Sequence, residues 1–351
     1  MARSAPSFSA FTAGEISPRL EGRTNLEKYS QGLSDLTNMV VMPHGGVTRR
    51  PGTEYLGEVK SSAVKTRLIP FQFKTSDTYI LEFGNQIMRV FRNDLQVLTS
   101  SAKTITAITK ANPGVLTSNS HGFSNGDEIF IDSVGGMTEL NGRNYRVANS
   151  TTNTFSLVDL FGNAINSTSL TTFTSGGTAT EIYETASPYA EADLFDIRFV
   201  QSADTMYLVH PSYDIRTLTR SDHNNWTFAT LSIAGSPSPG LSGANNRPSV
   251  VSFFEQRLVF GNTNNNPQTL FFSKNGDYDN FAVGTNDDDA LIYTIASNQV
   301  NAIRYLSATR VLTVGTSGGE YVLTSTNDGP VTPTTTLIRK YSNYGTSDRK
   351  E

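Results

Sequence analysis

The chain has 351 residues, a net charge of −4, 17% charged residues and not one Cys, which excludes disulfides and thiolate metal sites and leaves no basic field for gripping nucleic acid or anionic membrane. That length exceeds what one core usually serves, so two or more packing units are expected. No 18-residue apolar run and no apolar segment of signal-peptide length occur, which predicts a soluble chain not exported by those routes.

Residues 1–65 are read as an N-terminal extended strap or assembly arm. Thr24 to Leu33 (TNLEKYSQGL) predicts one weak helix, with Thr24 as N-cap and Glu27 completing a capping box. The stretch NMVVMPHGGVTRRPGTEY, Asn38 to Tyr55, concentrates backbone devices. Gly45 and Gly46 permit positive φ or close approach of another backbone, while Pro43 and Pro51 fix φ and forbid helix on either side. Arg49 and Arg50 fall on opposite sides of any extended backbone. A surface turn with solvated arginines and a structural strap both fit these residues.

Residues 66–103 read as a first blade: TRLIPFQFK, TYILEFG and QIMRVFR, separated by Thr75-Ser76-Asp77 and Gly84-Asn85, form a meander with hairpin turns. Residues 104–181 change texture. They are rich in Gly, Asn and Thr, with strand-sized segments cut at Asn112-Pro113-Gly114, Asn125-Gly126-Asp127, Asn141-Gly142 and Gly162-Asn163, which predicts a small antiparallel β-barrel.

Residues 182–351 return to the first texture as a repeat. RLIPFQFKTSDTYILEFG, FDIRFVQSADTMYLVHP, SVVSFFEQRLVFGN and NAIRYLSATRVLTVGTSGGEYVL each hold a strand, a short polar turn and a second strand. Third strands are expected at QIMRVF, IRTLTR, QTLFFS and TTLIRK. Hairpins repeated in this way bury little alone and must stack, as propeller blades do. The fold class expected is therefore mainly β: β-propeller-like blades, an inserted small antiparallel barrel and an extended N-terminal strap. Closure of four blades requires a tight ring or blades that this chain lacks, and the C-terminal blades are read as missing.

Candidate chemistry is sparse. His44, His121, His210 and His223 lack paired zinc-ligand spacing, and Asn286 to Asp289 lacks the distal Glu of a calcium loop. Neither a nucleophile elbow nor a phosphate loop occurs. No metal, no cofactor and no enzymatic activity are expected, although paired carboxylates for glycoside hydrolysis stay open on a propeller. Trp226 reads as core.

Two resemblances follow from these motifs. HGFSNGDEIFI, GGMTELNGRNYRV and NTFSLVD resemble the small β-barrel module of ubiquitin-activating enzymes, found also as an insertion in phage tail proteins, and cover about a fifth of the chain. The resemblance implies a structural corner at His121-Gly122-Phe123, a hairpin turn at Asn141-Gly142 and a core role for Phe155. Nothing of ubiquitin activation transfers, since that chemistry needs a catalytic Cys. The second covers Phe8 to Gly345. Gly14-Glu15-x-Ser17-Pro18, then Gly45-Gly46-x-x-Arg49-Arg50-Pro51-Gly52, the inserted barrel, and RPSVVSFFEQRLVFGNTNNNPQTLFFSKNGDYDNF with Asp288-Asp289-Ala290 resemble the tail nozzle proteins of short-tailed bacteriophages. These are the tail tubular protein B or phage stabilisation type.

That resemblance implies a structural virion protein: a homohexameric ring below the tail adaptor and portal, extending and gating the DNA ejection channel, assembled in the host cytoplasm and located in the virion tail. Implied partners are other copies of the chain, the tail adaptor, tail fibres, the host cell surface and passing duplex DNA bound without sequence preference. Glu15, Gly45, Gly46, Arg49, Arg50 and Pro51 become expected assembly residues, with the arginines pairing carboxylates. Asp287, Asp288 and Asp289 become expected lumen-facing or salt-bridging groups. A tail fibre or receptor-binding component and a glycan-binding propeller are the alternative readings.

Overall fold

Short apolar runs whose residues alternate in burial fold as antiparallel meanders, because successive side chains of a strand face opposite sides of its sheet. The structure, a computed structural model, describes residues 8–327 and 329–347. It divides into two compact units, 1–56 and 57–351. The terminal Asp348 to Glu351 lie outside the described residues.

Among its described residues the larger unit holds four blade-like antiparallel sheets. The first runs in space Glu184–Ala186, Ile87–Arg92, Asp77–Gly84, Arg67–Lys74, with the short Leu95–Gln96 also pairing Ile87–Arg92. The second orders Arg198–Ser202, Thr205–His210, Tyr213–Asp222 and Asn225–Thr230; the third Val250–Phe254, Arg257–Gly261, Thr269–Phe272 and Leu291–Thr294; the fourth Ile303–Ala308, Leu312–Thr316, Gly319–Ser325 and Thr336–Ser342. A row of up-and-down four-stranded sheets is a propeller-like fold.

Period-2 alternation makes the blades stack. Met206 and Leu208 of blade 2 join Ile69, Phe71, Tyr79 and Leu81 of blade 1 in one core, whereas Val209 joins Val251, Leu258 and Phe260 of blade 3 in another. Val250, next to Val251, turns the other way and packs with Val259, Leu312, Val314 and Leu323 between blades 3 and 4. Three interblade cores thus join four blades. Among the described residues no hydrophobic cluster joins blade 4 to blade 1. On blade 1 the strand Arg67–Lys74 alternates Ile69 and Phe71 inward with Leu68, Pro70 and Gln72 outward, and Leu68 stays 60% exposed.

The insert forms a seven-stranded sheet in the order Ala107–Ile108, Val115–Thr117, Thr154–Val158, Arg143–Ala148, Glu128–Asp132, Thr178–Glu181, Lys103–Thr104. Its two end strands are neighbours in sequence, so the sheet curls back on itself around its own core of Ile129, Ile131, Met137, Leu140, Val147 and Phe155. His121 is buried and its Nδ1 accepts the Phe123 N–H at 3.0 Å, with Gly122 at φ +77°. Gly142 takes φ +70°, while the Asn141 side chain clips Val134 through both its N–H and its carbonyl.

Three expectations change. TTLIRK is not a third strand: the fourth repeat segment itself contains three, and Thr336–Ser342 is the outer fourth strand of blade 4. Blade 1 takes its fourth strand, Glu184–Ala186, from beyond the insert and is not confined to 66–103. The expected helix shrinks to a 3-10 turn, Glu27–Gln31, cut short because the chain enters Gly32–Leu33 as a strand; the turn begins three residues after Thr24, so its N-cap is Leu26, with no side-chain hydrogen bond, and not Thr24.

Candidate assembly surfaces

The described residues of the arm form two thin ribbons. Gly14–Glu15 pairs in parallel with Gly32–Leu33, and Met39–Val41 pairs antiparallel with Val47–Arg49. The second hairpin closes through Gly45 N–H to Met42 O at 3.0 Å and Met42 N–H to Gly46 O at 2.7 Å. Gly45 sits at φ +100°, and the Phe11 N–H donates to its carbonyl at 2.7 Å. A Cβ at Gly45 would lie 2.8 Å from the Ala10 Cβ, so only Gly lets the N-terminal segment cross this turn. Gly46 has open space about it instead. Only the first glycine performs the close approach.

Glu15 is exposed, and its Oε2 accepts the Leu36 N–H at 3.0 Å, so it ties the arm to itself. Arg50 differs from the carboxylate-pairing expectation within this chain. Its N–H donates to Asn38 O at 3.1 Å and its Nε to Asn38 Oδ1 at 2.8 Å, with Asn38 in the left-handed region at φ +58°. Arg49, opposite Met39, is exposed, as is Pro51.

The arm buries almost nothing. Among its described residues only Gly45 is buried, and no hydrophobic side chain from Phe8 to Leu56 is, while Phe8 is 60% and Tyr55 73% exposed. Met39 and Val40, on opposite faces of one ribbon, are each about half exposed.

The acidic turn of blade 3 is a folded loop, with Asp287 and Asp288 exposed and Asp289 buried. Asp289 Oδ1 pairs with Lys274 Nζ at 2.8 Å and its Oδ2 accepts the Asn286 N–H at 3.0 Å; these hydrogen bonds hold its pKa below the usual carboxylate range. The carbonyls of Asp287 and Asp289 accept from the buried Arg257 guanidinium, at 2.5 and 2.6 Å, and Ser273 O accepts at 2.9 Å. Asp289 is therefore a salt-bridging residue inside its own blade, and Gly284 is needed beside it: a Cβ there would meet its Oδ2 at 2.0 Å.

A charge cluster that sequence reading does not identify fixes the inserted barrel on blade 1. Arg89, fully buried, lies opposite Glu82 in register. Its Nε faces Glu82 Oε2 at 3.3 Å, its Nη1 bonds Glu128 Oε2 of the barrel at 3.1 Å, and its Nη2 donates to Glu58 O at 2.9 Å. Glu82 Oε1 accepts the Lys60 N–H, Lys60 Nζ pairs with Glu184, and Arg146 of the barrel donates to Lys60 O. Burial pushes the Glu82 pKa up, and the Arg89 charge opposes that shift. The available signal is local: Glu82 is the one charge in the apolar run TYILEFG. Among the described residues no group of His, Asp or Glu has metal-binding geometry, and no helix is long and apolar enough to cross a membrane.

These features define a propeller-like β protein with an inserted barrel fixed by buried ion pairs and an unburied N-terminal arm. Residues 111–183 match the ubiquitin-activating enzyme E1 FCCH domain family, which covers most of the insert. Among solved structures the chain is similar to the phage phi92 endosialidase, at 14% identity and a TM-score of 0.28, covering 80% of this chain and 46% of that one. It is also similar to the β-propeller domain of Myceliophteria thermophila Cps50 (Swd1), at 11% identity and a TM-score of 0.30, covering 79% and 74%. The chain thus spans about half the length of the endosialidase. No curated protein matches it.

Proposed function

We propose that this chain is a structural subunit of a bacteriophage tail nozzle, a homohexameric ring that extends and gates the DNA ejection channel, with residues 8–56 as the strap between subunits. The observation that carries this reading is the arm without a core. Ordering a residue costs about 1–2 kcal/mol of backbone entropy, and an arm that buries no apolar side chain of its own needs a second surface to offset that cost. Phe8, Met39, Val40, Tyr55 and Leu56 are the side chains that a neighbouring subunit would cover. The ordered motifs from Gly14-Glu15 through Gly45-Gly46-x-x-Arg49-Arg50-Pro51-Gly52 supply the nozzle reading. Arg49, exposed beside Met39, is the strap's charged contact, and Arg50 stiffens the ribbon through Asn38. Asp287 and Asp288 are acidic groups suited to a channel along which DNA slides without gripping. The role is structural, without catalysis.

The test is assembly. Mass photometry and negative-stain imaging of the full chain, alone and with the tail adaptor, should show a six-fold ring, and deletion of residues 1–56 should leave folded monomers. A full chain that stays monomeric both alone and with adaptor, or a deletion that still forms rings, refutes the proposal.

A further inference from the structure

The innermost strands of the four blades surround a cavity of about 350 Å³. Val250, Val251, Leu306, Phe199 and Tyr305 line it, with the adjacent Val250 and Val251 contributing from the strand edge, and its charge comes from Arg67 and Arg198. A second cavity of about 200 Å³ shares Arg198 and adds Arg304, Asp196, Asn262 and Asn264. Three arginines around two adjoining cavities reverse the sign of a chain whose net charge is −4.

The arrangement is preorganised. Arg67 Nη1 donates to Leu194 O at 2.8 Å and to Ile197 O at 2.6 Å, which fixes the guanidinium plane; the other edge of the fork, Nε and Nη2, is the one that matches a carboxylate bidentately. The Arg67 guanidinium also lies 5.9 Å from the Phe199 ring centroid. Burial, and secondarily the neighbouring Arg198 charge, lower the Arg67 pKa, and an anion beside Arg67 would oppose that shift. The polar lobe contributes the Asn262 and Asn264 amides and the Asp196 carboxylate, groups that bond hydroxyls. Asp196 weighs against a phosphate dianion. A cavity with an apolar wall and a few convergent polar groups, within the usual size range of about 300–1,000 Å³, has the make-up of a small-ligand site.

We infer that this central cavity binds a small polyhydroxylated carboxylate, an acidic sugar or sugar-acid residue of monosaccharide size, with Arg67 and Arg198 on the carboxylate and the Asn262–Asn264 lobe on the hydroxyls. The inference is independent of ring assembly. Isothermal titration calorimetry of the full chain at low salt, with glucuronate, glucose and inorganic phosphate as probes, tests it; a short oligosaccharide ending in glucuronate separates a glycan terminus from the free acid. Glucuronate or its oligosaccharide should saturate at one site, with glucose and phosphate at least about tenfold weaker. Arg198→Gln and Arg67→Lys should each weaken glucuronate by about tenfold or more, the loss expected when a bidentate donor is removed. Circular dichroism confirms that each variant is folded, and Arg198→Gln stands alone if Arg67→Lys is not. Absence of binding by both acids at millimolar concentration, equal binding of glucose, tighter binding of phosphate, or full affinity in folded Arg198→Gln overturns the assignment.

Discussion

Replacing Arg89 with Ala should be the most damaging single change at the junction of blade and barrel. The guanidinium is fully buried between Glu82 and Glu128, each carboxylate side chain 2% exposed, with oxygens 3.3 and 3.1 Å away, and it also donates to Glu58 O. Removing it leaves two buried carboxylates without the cation they share. Breaking a buried pair this way costs about 3–5 kcal/mol. At about 2.1 cal/mol/K of unfolding entropy per residue, a cooperative unit of roughly 300 residues should lose about 5–8 °C in melting temperature. Differential scanning calorimetry measures this, and hydrogen exchange at Lys60 and Glu128 reports whether the barrel has come loose. The triple change Arg89→Met, Glu82→Leu, Glu128→Leu should recover most of the loss, because well-packed apolar groups can replace a buried ion triad at little or no cost. A melting temperature within about 1 °C of the parent for Arg89→Ala, on the same entropy scale, would refute the account of the cluster as the barrel's anchor.

Other expectations concern separate parts of the chain. Gly45→Val forces a β-branched residue to φ +100° with its Cβ 2.8 Å from that of Ala10, so the Phe11–Gly45 bond should open; limited proteolysis should cut the arm faster, and unchanged protection would sink the idea. Arg257→Met strips four hydrogen bonds from carbonyls of residues 273 and 287–289, at a cost of about 3 kcal/mol or more in urea unfolding, with the loop at Asn286 exchanging first. Asp77 is held at about 2 by hydrogen bonds from Arg92 and then Lys74. Its folded pKa lies below the unfolded value of about 3.9, so its stabilisation is complete above that pH and is lost as pH falls towards 2. Asp77→Asn should therefore flatten the urea-midpoint profile between about pH 4 and 2; an unchanged acid limb would show the pair contributes nothing.

Much of the fold is legible because burial of one strand face leaves a period-2 record. RLIPFQFK announces Ile69 and Phe71 as inward and Leu68 and Pro70 as outward, and MYLVH sends Met206 and Leu208 to one core and Val209 to the next. The outer strands are less legible: Glu184–Ala186 and Asn225–Thr230 face solvent at a blade's edge and carry little apolar alternation. Arg50 reads as a contact residue in sequence, yet a left-handed Asn38 twelve residues earlier captures it, a pairing fixed by hairpin register. In sequence the three carboxylates of the acidic run look alike, equally lumen-facing or salt-bridging; only the fold separates Asp289, turned to Lys274, from Asp287 and Asp288. The Arg89 cluster gathers groups from six separate segments, beyond what spacing can reveal.

The way the insert enters and leaves the first sheet has a consequence for synthesis and for exchange. Leu98 and Ile182 bridge, Tyr183 N–H donates to Val97 O and Thr99 N–H to Glu181 O, so the two connections run side by side. The barrel is a cassette on a two-stranded stem: joining Thr99 to Ile182 directly would leave the sheet's own pairing intact, and a different cassette could be grafted on the same stem. On the ribosome the order is less forgiving. After Ile87–Arg92 emerges, roughly ninety residues, about 5–20 s of translation, pass before Glu184–Ala186 arrives to cover its edge. Leu95–Gln96, folded back on Phe91 and Arg92, shields part of that edge from a passing chain in the interval.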